Sequence, residues 1–131
     1  LIGDLSGATN NWSIYTGTAP SYFGGAVCHL KNDVASAASI TSLDSVHSFV
    51  KLTGSTATTL HGIAAGKDGQ VMYLYNNSGQ ILTIKHQSGS AAAADQITTM
   101  TGADVATTGN GCAVFIYDIT DTKWINVNVN P

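Results

Sequence analysis

The stretch Cys112-Ala-Val-Phe-Ile-Tyr-Asp118, a short turn, and Lys123-Trp-Ile-Asn-Val-Asn-Val129 decides the fold class. Both runs are rich in β-branched and aromatic residues, and turn chemistry separates them, which predicts two strands. Alternation in the second run sets Ile125, Val127 and Val129 against Trp124, Asn126 and Asn128. The aliphatic side is expected inward and the Trp-Asn side outward.

The same grammar extends backward. Gly109-Asn-Gly111 opens the first run, and Gln96-Ile-Thr-Thr-Met100 precedes the Gly102-Ala-Asp-Val105 bend. Asn76-Asn-Ser-Gly79 reads as a tight turn, so Val71-Met-Tyr-Leu-Tyr75 and Ile81-Leu-Thr-Ile-Lys-His86 are expected to form a hairpin. Val71 to Tyr75 is apolar on both faces, as in a central strand covered on both sides. In Val46-His-Ser-Phe-Val-Lys-Leu52, Val46, Ser48, Val50 and Leu52 share one face, and His47, Phe49 and Lys51 take the other. Gly66-Lys-Asp-Gly69 is a further turn. Earlier, Val34 to Ser45 is irregular with a short strand, and Ser21 to Leu30 is a strand interrupted at Gly24-Gly25. Residues 1–20 read as an extended lead-in and 21–131 as one module. Strands about 10 residues apart with no helical period predict an all-β, antiparallel β-sandwich, jelly-roll-like.

Composition narrows the function classes. A chain of 131 residues is one domain's worth. Charged residues are 10% of it, all five cations are Lys, and the net charge is −3, so no nucleic-acid partner is expected. Without a run of about 18 apolar residues, no membrane insertion is expected either. The start at Leu1, with no Met and no signal-peptide pattern, suggests a piece of something longer. So few charges favour self-association.

Catalytic and metal-binding patterns are hard to find. His29, His47, His61 and His86 show no HxH, HxxxH or HExxH spacing, although in a homotrimer one axial His supplies three ligands. All eight acids are Asp, most of them at turns, where the side chain bonds to backbone. No nucleophile elbow or triad pattern occurs, so the chain is not expected to be an enzyme or to carry a cofactor. Cys28 and Cys112 are either bridged or two buried free thiols. The aromatic residues remain. Trp124 beside Asn126, with Trp12 and Tyr15 in the lead-in, suits a sugar site in which rings cover an apolar sugar face and amides meet hydroxyls. The same rings also suit a subunit interface.

Val50-Lys-Leu-Thr-Gly54, Thr59-Leu-His-Gly-Ile63, Gly69-Gln-Val-Met-Tyr-Leu-Tyr-Asn-Asn77, Leu82-Thr-Ile-Lys-His-Gln-Ser88, Ala93-Ala-Asp-Gln-Ile97 and Val114-Phe-Ile-Tyr-Asp118 with Lys123-Trp124 resemble a β-sandwich module of bacteriophage tail fibres and related virion proteins. The likeness spans Val46 to Val129, and Asn11 to Pro20 is similar to segments joining a fibre shaft to its head. The resemblance implies a homotrimer, an extracellular place on a virion or cell-surface fibre, and no cofactor. A non-enzymatic distal head module for adhesion to a cell-surface glycan or envelope polysaccharide is therefore expected. Its contact residues are Trp124, Asn126, Trp12 and Tyr15. The alternatives are a structural capsid decoration protein and a polysaccharide-degrading spike module.

Overall fold

The structure, a computed structural model, describes residues 29–130. It is all-β, and it is solenoid-like rather than a jelly-roll sandwich. Three coils each lay one strand in a first sheet and one in a second. The coils are β1 (Lys31–Ala35) with β2 (Ser39–Ile40), β3 (Phe49–Thr53) with β4 (Thr58–Leu60), and β5 (Val71–Asn76) with β6 (Leu82–Ile84). Pairing between coils is parallel, as the expected antiparallel sandwich does not allow: Lys31 lies beside Phe49, and Phe49 beside Tyr73. In the second sheet Ile40, Leu60 and Ile84 are stacked the same way. A narrow third side is closed where Leu43 bridges Ile63.

The expected hairpin between Val71–Tyr75 and Ile81–His86 does not form, because β5 and β6 lie in different sheets. Asn76 explains why. Its fully buried amide turns into the corner between the sheets, donating to the Gln80 carbonyl at 2.8 Å, Thr107 Oγ1 at 3.1 Å and the Thr108 carbonyl at 3.0 Å. Its Oδ1 accepts from Ser78 Oγ at 2.7 Å. The turn chemistry is real, but it bends the chain around a core edge.

After a 3₁₀ turn at Ala93–Asp95, β7 (Ile97–Thr99) and β8 (Val105–Thr107) begin a reversal. β8 is antiparallel to β6, and β9 (Cys112–Asp118) is antiparallel to β5, so the last coil retraces the third backward. β10 (Lys123–Asn130) then forms a true hairpin with β9 and pairs in parallel with β7. The first sheet thus runs β1-β3-β5-β9-β10-β7.

Between the sheets lie Val50, Leu52, Leu60, Met72, Leu74, Leu82, Ile84, Phe115 and Trp124, all buried. Each such aliphatic side chain contributes about 1.5–3 kcal/mol. Aspartates tie the coils at their rims. Asp95 accepts from Ser42 Oγ at 2.8 Å and from the Ala65 N–H at 3.0 Å, while Asp68 accepts from the Ile119 N–H at 3.2 Å. Asp104 accepts from Lys85 Nζ and from the His86 N–H at 2.9 Å.

Candidate functional site

β10 faces the opposite way from its expected orientation. Trp124 is 0% exposed, with its indole N–H donating to the Ala64 carbonyl at 3.0 Å and its ring edge-on to Tyr117 at 5.3 Å. Gly66 lets the chain pass over the ring: a Cβ there would lie 2.7 Å from Trp124 Cζ2. Ile125 and Val127 point outward instead of inward, and the side chain of Val129 lies outside the described residues. Large volume and a carbonyl within reach decide the direction, since a one-residue slip exchanges the two faces of a strand.

A bulge follows. Asn126 stands opposite Phe115 and Asn128 opposite Val114, which leaves Val127 as the extra residue. The two asparagines therefore no longer share a face as strict alternation requires. Asn126 is 3% exposed, and its Nδ2 donates to the Val114 carbonyl at 3.1 Å and the Asn128 carbonyl at 3.0 Å. Asn128 is exposed.

Both amides line a cleft of about 520 Å³ with Met100, Thr101, Val105, Ala106 and Val127. The Met100 turn is fixed from behind, where Thr99 Oγ1 donates to the Ala103 carbonyl at 2.6 Å and Gly102 takes a φ of 67°. Met100, 74% exposed, is presented at the rim. No charged side chain lines this cleft. It offers apolar walls with amide and hydroxyl groups, which suits a neutral polyhydroxylated ligand better than an ion.

Of the residues expected to touch ligand, Asn126 lines the cleft and Trp124 is sealed beneath the surface. Trp12 and Tyr15 lie outside the described residues, as does Cys28. Met100, Thr101 and Val127 were not among the expected contacts. The Gly102 bend signalled only that a turn was there.

Elsewhere, each described histidine uses Nδ1 locally: His29 with Ser48 at 3.3 Å, His47 with Asp44 at 3.0 Å, His61 with Ser88 at 2.7 Å and His86 with Thr99 at 3.1 Å. Among the described residues no three His, Cys, Asp or Glu side chains group as metal ligands. The Val46 N–H, and after it His47, hold the Asp44 carboxyl below the usual carboxylate range. Lys85, then the His86 N–H, does the same for Asp104.

The outward side of the first sheet is also apolar. Registers align Phe49, Tyr73 and Val114 in one row, Val71, Ile116 and Ile125 in another, and Tyr75 with Cys112 in a third. A groove of about 410 Å³ runs among Phe49, Tyr73, Tyr75, Cys112 and Val114, with the His29 ring 5.2 Å from that of Tyr73. Tyr73 is 40% exposed and the Cys112 sulfur is half-buried, with no disulfide partner among the described residues. The strand expected to be covered on both sides is thus covered on one side by the described residues. Compared with known proteins, the chain matches no protein-family model and no curated protein.

Proposed function

We propose that this chain is a non-enzymatic binding module of an extracellular virion or cell-surface fibre, holding a neutral surface glycan in the cleft at Asn126 and Asn128. The observation that carries the reading is the lining itself, two amides set between Met100 and Val127 with no charge. Asn128 offers a full amide to sugar hydroxyls, and the Asn126 amide, anchored through Nδ2, turns its Oδ1 to no donor among the described residues. The Met100 and Val127 side chains cover an apolar sugar face. A cleft this open binds weakly per site, and display in three copies, as the fibre resemblance implies, raises avidity without new contacts.

A glycan array probed with the multimerised chain tests the reading. Binding to neutral hexose or N-acetylhexosamine chains is expected, and Asn128→Ala should weaken it about tenfold, the effect of losing one or two hydrogen bonds, with no loss of thermal stability. A blank array with folded protein, or full binding by Asn128→Ala, sinks the proposal.

A further inference from the structure

We propose that His86 is a pH-sensitive latch behind the Met100 wall of the cleft, so that acidification loosens the hold on the neutral glycan, a role that rests on that reading of the cleft. The latch lies on the side of β7 away from β10. There the Gln87 N–H donates to the Ile97 carbonyl at 2.8 Å, as in a strand ladder, and Gln87 takes a φ of 42°. The Thr99 N–H, two residues further along β7, donates to His86 Nδ1 at 3.2 Å. A ring nitrogen thus stands where a ladder places a carbonyl. Carbonyls accept at every working pH, but an imidazole nitrogen that takes a proton becomes a donor. Among the described residues no other histidine ring accepts a backbone N–H.

Thr99 couples this contact to the cleft. It pairs in register with Asn126, and its carbonyl accepts from the Gly102 N–H at 3.1 Å to close the turn that carries Met100 and Thr101. Protonation of His86 sets an Nδ1–H against the Thr99 N–H. Thr99 is 3% exposed, so water does not replace the lost acceptor, and a buried donor without one is costly. The new proton is drawn instead to Thr99 Oγ1, 3.1 Å from Nδ1, the hydroxyl that anchors the turn through the Ala103 carbonyl. Ring and amide move apart, and Met100 shifts with them. From β7 the ring meets Thr99, which does not titrate. From the loop before β8 it meets Asp104, whose Oδ1 accepts the His86 N–H at 2.9 Å and whose Oδ2 is paired with Lys85, the residue before His86. Histidine is the side chain that gains its charge between about pH 8 and 5. Asp104, its carboxyl held below the usual carboxylate range, stays charged throughout that window.

Nuclear magnetic resonance of the full chain at about pH 7.5 and about pH 5 tests the latch. At the higher value the ring proton of His86 is expected on Nε2. At the lower one the protection of the Thr99 amide against hydrogen exchange, relative to an unfolded peptide, should fall about tenfold or more, and the Met100 methyl signal should move with the His86 ring. In His86→Asn the side-chain Oδ1 stands where Nδ1 does and accepts at either pH, so Thr99 should stay protected at both. A glycan array read at both values should dim at the lower one for the unaltered chain and not for His86→Asn. A ring proton on Nδ1 at about pH 7.5 overturns the proposal, as does Thr99 protection that ignores pH in the unaltered chain. So does a folded His86→Asn variant whose Thr99 still loses protection at the lower value. Should that variant not fold, the ring proton and Thr99 protection of the unaltered chain still decide. Equal glycan binding at both values, with Thr99 released, overturns the link to the cleft. An array blank at both sinks the glycan reading alone, because the Thr99 and Met100 signals need no ligand.

Discussion

A single side chain, Trp124, fixes how the last strand sits. Replacing it by Ala should remove about 3–5 kcal/mol of stability, the range for deleting a buried aromatic, measured by urea unfolding. Glycan binding per folded molecule should stay unchanged, since the ring meets no solvent; a selective loss of binding with stability intact would falsify its structural role. Asn76→Leu tests the polar corner in the same way. It leaves the buried Ser78 N–H without its acceptor and takes one donor each from the Gln80 and Thr108 carbonyls, and should cost about 1–3 kcal/mol. These two residues also mark where sequence reading stopped. Alternation correctly separated Val50 and Leu52 from Phe49 and Lys51, because only one side of that strand is strongly apolar. In β10 both sides carry large apolar residues, so period alone could not tell them apart, and the indole's bond to Ala64, sixty positions earlier, settled the matter.

At the level of elements, the coils are held by close passages and by carboxylates at the rims. Gly62 is wedged between Thr41 of the first coil and Asp95 of the third, and a Cβ would stand 2.8 Å from the Asp95 carbonyl and 2.9 Å from that of Thr41. Gly62→Ala should therefore cost about 1–3 kcal/mol by overpacking, in contrast to the usual gain from removing glycine; a neutral midpoint in urea refutes the wedge. Asp44 and Asp104 both have carboxyls lowered on folding. A lowered acid contributes stability above its unfolded value that is lost as pH falls through its folded one, so stability should drop below about pH 4. Asp104→Asn should flatten that drop, and an unchanged acid limb in thermal melts counts against the Lys85 tie. Strand positions were legible from turn residues, but their pairing was not. The coil moves from residue 31 to 49 and then to 73, unequal steps that hide the repeat, and β2, β4 and β6 are too short to show a period. For the cleft, alternation set both Asn126 and Asn128 outward, but Asn126 is buried and Asn128 exposed, and Met100 reaches the cleft only through tertiary folding.

For the whole molecule, the all-β class was readable from the absence of any helical period, and the solenoid path was not, since parallel pairing without helices leaves no local mark. The reversed last coil has a consequence for synthesis. The first three coils can wind as they emerge, but the far edge of β5 stays open until Cys112–Asp118 have been made. At roughly 5–20 residues per second that edge is bare for a few seconds, displaying Met72 and Leu74 on one side and Tyr73 on the other. A chain stopped at Gln96 should aggregate rather than fold, as light scattering of the purified fragment will show. Newly made copies held close together thus risk joining through unfinished edges, and the strand that prevents this is made well after the edge it covers.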